Sequence, residues 1–154
     1  MKKFLVSLAL LAVIGFTAGC ESSTDVQVDD LEGTWIASQV RIVDIEVPKE
    51  SNFDLIELGY QAIFVSTATG SFTIRLDDPE GESEFITGTL STDGTDVVVE
   101  TENGTSSGEV FLEDEQAALS ITAGLTFDFK GDGTEKPAKL LLVMDRVSPE
   151  VPQL

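Results

Sequence analysis

Phe72-Thr73-Ile74-Arg75-Leu76-Asp77 alternates apolar and polar residues without a break. Only an extended backbone puts every second side chain on one face, so the stretch predicts a strand with one buried side. Turn signals bound it: Thr69-Gly70 before, Asp78-Pro79-Glu80-Gly81 after. Outward from this strand the pattern recurs. Asp93-Gly94, Asn103-Gly104 and Asp132-Gly133 mark further turns, because glycine supplies a positive φ at little steric expense. Between the turns the reading places eight strands, at about 33–46, 60–67, 70–77, 83–90, 95–102, 108–113, 117–123 and 138–147. Leu140-Leu141-Leu142-Val143-Met144 is apolar throughout, so that strand should be covered on both faces.

Two segments fall outside this scheme. Ser51 to Gly59, with apolar residues at 53, 55, 56 and 58, suits a short helix or a lid-like loop after the first strand. Leu125 to Pro137 reads as a strand extension followed by a polar loop. No long amphipathic helix is present in the sequence. Short strands joined by short turns make a meander, and closing a meander removes its exposed edges. The expected fold is all-β, an eight-stranded antiparallel up-and-down barrel over 31–147.

The termini read differently. Met1, Lys2 and Lys3 precede Phe4 to Phe16, thirteen mostly apolar residues without a charge. That run is short of the ~20 residues a spanning helix needs, and it fits a secretory signal over 1–19. Glu21 to Asp30 is polar and acidic, so 20–30 reads as a flexible tether. Residues 148–154, with Pro149 and Pro152, read as a short tail.

Composition removes several chemistries. The 154 residues carry 9 Lys+Arg against 28 Asp+Glu, a net charge of -19, with no histidine and one cysteine. Nucleic acid is not an expected partner, because phosphate binding needs a cationic face. No Ser-His relay, Cys/His metal site or intramolecular disulfide can be built. Asp128-Phe129-Lys130-Gly131-Asp132-Gly133 has acids where a calcium loop has its first and fifth ligands. Lys130 and Lys139 occupy the third and twelfth places, and both repel a cation. The chain is therefore expected to hold no metal and no cofactor, and not to be an enzyme.

Thr17-Ala18-Gly19-Cys20 resembles the bacterial lipobox, with Thr17 where an aliphatic residue is usual. The resemblance implies that Cys20 becomes the lipidated first residue of the mature protein, palmitate being one of the acyl groups such anchors carry. Two or more acyl chains anchor stably, at ~0.8 kcal/mol per buried methylene. Glu21 stands where an Asp would favour inner-membrane retention in enterobacterial lipoproteins, which directs the expectation to the outer membrane of a bacterial cell envelope.

Leu31-Glu32-Gly33-Thr34-Trp35 opens the first strand, and Met144-Asp145-Arg146-Val147 ends the last. Gly-x-Trp on a first strand resembles the lipocalin and wider calycin pattern. The chain as a whole resembles small bacterial lipocalin-like lipoproteins. The resemblance implies that Gly33, Trp35 and Arg146 meet, with the indole closing one end of the barrel and the basic side chain over its ring. These three residues are read as structural.

The function that follows is a lipid-anchored, monomeric barrel that binds a small apolar molecule. Phe72, Ile74, Leu76, Ile86, Val98, Phe111, Leu119, Ile121, Leu142 and Met144 are the apolar side chains available to line its interior. The alternative is a filled barrel acting as a structural or interaction module, in which Phe53, Tyr60 and Phe64 would form a surface patch.

Overall fold

The computed structural model describes residues 25–48 and 52–147. The expected signal segment, Cys20 and the tail lie outside the described residues. Among the described residues ten strands follow one another: β1 (Gly33–Asp44), β2 (Asn52–Asp54), β3 (Gln61–Ser66), β4 (Ser71–Asp77), β5 (Ser83–Asp93), β6 (Asp96–Thr101), β7 (Gly104–Glu113), β8 (Gln116–Ala123), β9 (Thr126–Phe127) and β10 (Lys136–Arg146). Eight of them form the wall in the order β1-β3-β4-β5-β6-β7-β8-β10, each antiparallel to its neighbour. β10 then pairs with β1 from Trp35↔Arg146 to Asp44↔Ala138. The sheet is thus a closed eight-stranded up-and-down barrel. The remaining two strands continue the wall upward: β2 pairs with β1 above β3, and β9 pairs with β10 above β8.

Three two-residue turns set the register at one end and the other. Asp93 faces Asp96, Thr101 faces Gly104, and Glu113 faces Gln116. Gly94 (φ 64) and Asp114 (φ 50) take left-handed conformations in two of these turns. Aspartate tolerates that region better than most residues, which suits it to this turn. The described residues after the first strand form no helix: β2 and a run of turns over 55–59 occupy 52–59. A single 3-10 turn among the described residues, Val28–Leu31, precedes β1.

Two bulges decide which side chains face in. Along β1 the buried positions are Trp35 and Ala37, then Val40, Ile42 and Asp44. The register shift between Ala37 and Gln39 changes the parity from odd to even. A second shift at Ser107/Gly108 accommodates an extra residue in β8. Gly108 lies so close to the Ser120 carbonyl that a Cβ there would collide with it.

The core is one contiguous cluster. It runs from Val26, Leu31 and Trp35 through Phe64, Phe72, Leu90, Val97 and Val110 to Leu119, Ile121, Leu142 and Met144. Phe64 and Phe72 stack across β3 and β4 at 5.6 Å between centroids. Eight of the ten residues expected to face inward are buried or half-buried. Val98 and Phe111 are the exceptions: both point outward, Phe111 at 50% exposure. Their neighbours Val97 and Val110 take the inner places, each 1% exposed. Val97-Val98-Val99 and Val110-Phe111-Leu112 lack alternation, so the inner parity cannot be read from composition there. On β10, Leu141 and Val143 are half-buried although they face out, in line with its continuous apolar run.

Residues 25–30 depart from the tether expected for them. Val26 is 2% exposed and its N–H donates to the Gly94 carbonyl at 3.0 Å. Asp29 and Asp30 sit in the 3-10 turn. Isolated apolar residues in an acidic stretch carry no period, yet Val26 and Leu31 each find a place under the barrel.

Candidate functional site: the two ends of the barrel

The lower end contains the starts of β1, β4, β6 and β8 and the ends of β3, β5, β7 and β10. Here the structure brings Gly33, Trp35 and Arg146 together. Trp35 is fully buried, and its Nε1–H donates to the Leu31 carbonyl at 2.9 Å. The Ser66 hydroxyl donates to the same carbonyl. The Arg146 guanidinium lies over the indole, with Cζ 4.3 Å from the ring centroid. Its Nη1 donates to the Glu32 carbonyl at 3.0 Å and its Nη2 to the Asp30 carbonyl at 2.6 Å. Nε faces the Glu115 carboxylate at 3.4 Å. Gly33 has φ 131, a conformation side chains disfavour, and its bare Cα sits beside the guanidinium. The sequence reading paired Arg146 with Trp35. It missed that the arginine's hydrogen bonds go to the backbone of the incoming segment.

The upper end is built differently. Inward positions there are half-buried: Ile74 and Leu76 on β4, Ile86 on β5, Val99 on β6 and Leu140 on β10, with Leu55 and Ile56 from the turn above β3. The inner face also becomes polar toward the rim. Glu84 pairs with Leu76 in the ladder, on the same face as Ile86. A cleft of about 210 Å³ opens there, lined by Tyr60, Leu76, Asp78, Glu82, Ser83 and Glu84. Part of the rim is roofed by three phenylalanines. Phe53, Phe127 and Phe129 contact one another edge-on or tilted, at centroid separations of 5.1 to 5.8 Å. Phe53 pairs with the buried Ile42, which brings the cluster over the top of β1. Phe53, Tyr60 and Phe64 therefore share no surface patch, because Phe64 belongs to the core.

Asp44 is 1% exposed at the top of β1. Its Oδ1 accepts from the Glu46 and Val47 amides at 2.8 and 3.2 Å. Its Oδ2 has no hydrogen bond and faces Lys136 Nζ at 3.8 Å. The hydrogen bond from Lys136 to Glu46, aided by the Asp44 charge, holds the ammonium above its ordinary pKa. Asp54, also buried, spends Oδ1 on the amides of Val40 and Ile56 at 3.1 and 3.0 Å, so it orders the chain above the bulge.

Outside the barrel, Asp128 accepts the amides of Lys130, Asp132 and Gly133. The Gly133 amide is the main reason its carboxyl stays below the usual range. The loop read against a calcium pattern is thus a self-satisfied turn with its first carboxylate turned onto backbone N–H groups. Asp77 is lowered as well, first by the Ser83 hydroxyl and then by Arg75.

The fold and site define a closed antiparallel eight-stranded β-barrel with one plugged and one partly open end. No protein-family model matches the chain, and no curated protein matches it either.

Proposed function

We propose that this protein is a lipid-anchored bacterial envelope lipoprotein whose lipocalin-like barrel binds a small apolar molecule, without catalysing a reaction on it. The observation that carries this reading is the upper end. Aliphatic side chains in inward register are only half-buried there, and one of them, Leu76, lines a cleft with Tyr60, while the lower end is sealed. Apolar side chains aimed into a concavity gain by covering that surface, at about 25 cal/mol per Å² removed from water. Cys20 would supply the anchor and the outer membrane the address.

The test uses the mature chain made without its signal and carrying Cys20→Ser. A neutral naphthyl dye that brightens in apolar surroundings is titrated, then displaced with long-chain fatty acids. Saturable binding that Leu76→Glu and Ile74→Asp abolish is the expected result. Linear, unsaturable dye uptake would overturn the carrier reading.

The continuous core favours a second reading, a filled barrel serving as a structural or interaction module. In that case no ligand raises the melting temperature, and the exposed Phe85 and Phe111 of the outer wall become the contact candidates.

A further inference from the structure

The end of the barrel that is sealed is also the end at which the chain enters it. Among the described residues Val26 is the first one fastened, through its buried side chain and its hydrogen bond to Gly94. Between Val26 and β1 three consecutive carbonyls are held by side chains of the barrel: Asp30 and Glu32 by Arg146, Leu31 by Trp35 and Ser66. A pull on the N-terminal side of this strap meets Val26 first and then the arginine, so the strap does not pay out as slack.

Cys20 stands six residues before Val26 in the sequence. A fully extended chain covers ~3.3–3.6 Å per residue, so the Cα of Cys20 lies at most about 22 Å from that of Val26. The 12-residue β1 rises about 3.3 Å per residue at a tilt of about 40°, which puts the upper rim roughly 30 Å farther along the barrel axis.

From these lengths we propose that the sealed lower end, with the β5–β6 and β7–β8 turns, is the face turned toward the bilayer. The upper cleft then points away from it, so that ligands and partners reach the cleft from the aqueous side. This rests on the reading of Cys20 as the lipidated residue. The short leash orients the barrel by itself and needs no apolar docking face. Charge does not choose between the ends: Asp93, Asp96, Glu113, Asp114 and Glu115 line the lower turns and Asp78, Glu80, Glu82 and Glu84 the upper one, so an anionic headgroup surface repels both and the leash decides.

The experiment uses the full lipidated protein in vesicles of phosphatidylethanolamine and phosphatidylglycerol carrying an energy-transfer acceptor on a headgroup. Lipidation consumes the native thiol, so single cysteines introduced as Asp114→Cys at the lower end or Glu80→Cys at the upper end take the donor dye alone. Transfer severalfold stronger from position 114 than from position 80 is expected. Inserting about twenty Gly/Ser residues after Glu21 should erase the difference. Equal or reversed transfer in protein that floats with the vesicles overturns the orientation and leaves the anchor standing. A contrast that survives the long insertion also counts against it, because some other surface would then be setting the orientation. Protein that does not float, matching a Cys20→Ser control, removes the anchor and the proposal with it.

Discussion

The guanidinium carbon of Arg146 lies 4.3 Å from the centre of the Trp35 ring, and the two residues face each other in the ladder that closes the barrel. The pair joins the first and last wall strands and fastens the incoming segment in the same place. Trp35→Ala removes the largest fully buried side chain and should lower stability by about 3–5 kcal/mol. Arg146→Ala loses a cation–π contact on a partly exposed group and strands two carbonyls, for about 1–3 kcal/mol. The double variant should lose less than the sum of the two, because the arginine has no ring to cover once the indole is gone. Guanidinium chloride unfolding of the four proteins measures this. Strict additivity would mean that the ring and the guanidinium do not support each other.

Asp54 acts at a distance from that closure. Its Oδ1 takes two amides, those of Val40 and Ile56. Asp54→Ala leaves the buried Val40 amide without a partner, which should lower stability by about 1–3 kcal/mol. Asp54→Asn keeps an acceptor in place and should lose less than half as much. Hydrogen exchange at the Val40 amide reports the difference directly, with faster exchange expected in Asp54→Ala alone.

How far the sequence carried this architecture follows from the physics of each signal. The wall strands were readable because two-residue turns require residues that accept positive φ, and Gly94 and Gly104 sit at or beside two of them. The pairing of Trp35 with Arg146 was readable only through a family likeness, since nothing local links positions more than a hundred residues apart. The inner faces of β6 and β7 were not readable: three successive apolar residues fit either parity, and Val98 and Phe111 went to the outside. The bulge after Ala37 was hidden for a similar reason, as Ser38 and Gln39 interrupt β1 without a glycine to mark the shift. β2 and β9 are three and two residues long, too short for a period, and depend on the edges of β1 and β10 above their main partners. The strap from Val26 to Leu31 depends wholly on tertiary contacts.

Gly108 should tolerate no side chain. A Cβ there would strike the Ser120 carbonyl across the ladder and crowd the Ile121 Cα, and both are backbone atoms that cannot swing aside. Gly108→Ala should lower stability by about 1–3 kcal/mol or more by overpacking. Gly131→Ala meets no neighbouring atom and bears only its conformational penalty at φ 65. A melting-temperature drop clearly larger at 108 than at 131 is expected, and equal drops would contradict the close approach.

Acid should act on the surface turns first. Asp77 and Asp128 both have folded pKa values below the ordinary 3.8. A lowered carboxyl contributes stability above its unfolded value and loses it as pH falls through the lower folded value. Stability should therefore decline from about pH 4 downward, and Asp128→Ala should flatten part of that decline. Lys136 works in the opposite sense: its raised pKa contributes below 10.5 and fades as pH climbs past the folded value. Denaturant midpoints across acid and alkaline pH, for the parent and for Asp128→Ala and Lys136→Met, check both signs.

Asp93 faces Asp96, and Asp96 faces Glu109, so three exposed carboxylates stand in adjacent cross-strand positions on the outer wall. Like charges directly opposite one another destabilise a sheet, by about 0.2–1 kcal/mol for each pair. The net charge of -19 adds a broader repulsion. Both are screened by salt, since the Debye length shrinks from ~30 Å at 0.01 M to ~8 Å at 0.15 M. The melting temperature should therefore rise as salt is added across that range. Asp96→Lys turns two repulsive pairs into attractive ones, so it should raise the low-salt melting temperature and reduce its dependence on salt. A parent protein indifferent to salt, or an Asp96→Lys variant with the parent's salt slope, would show that the acidic wall places no strain on the fold.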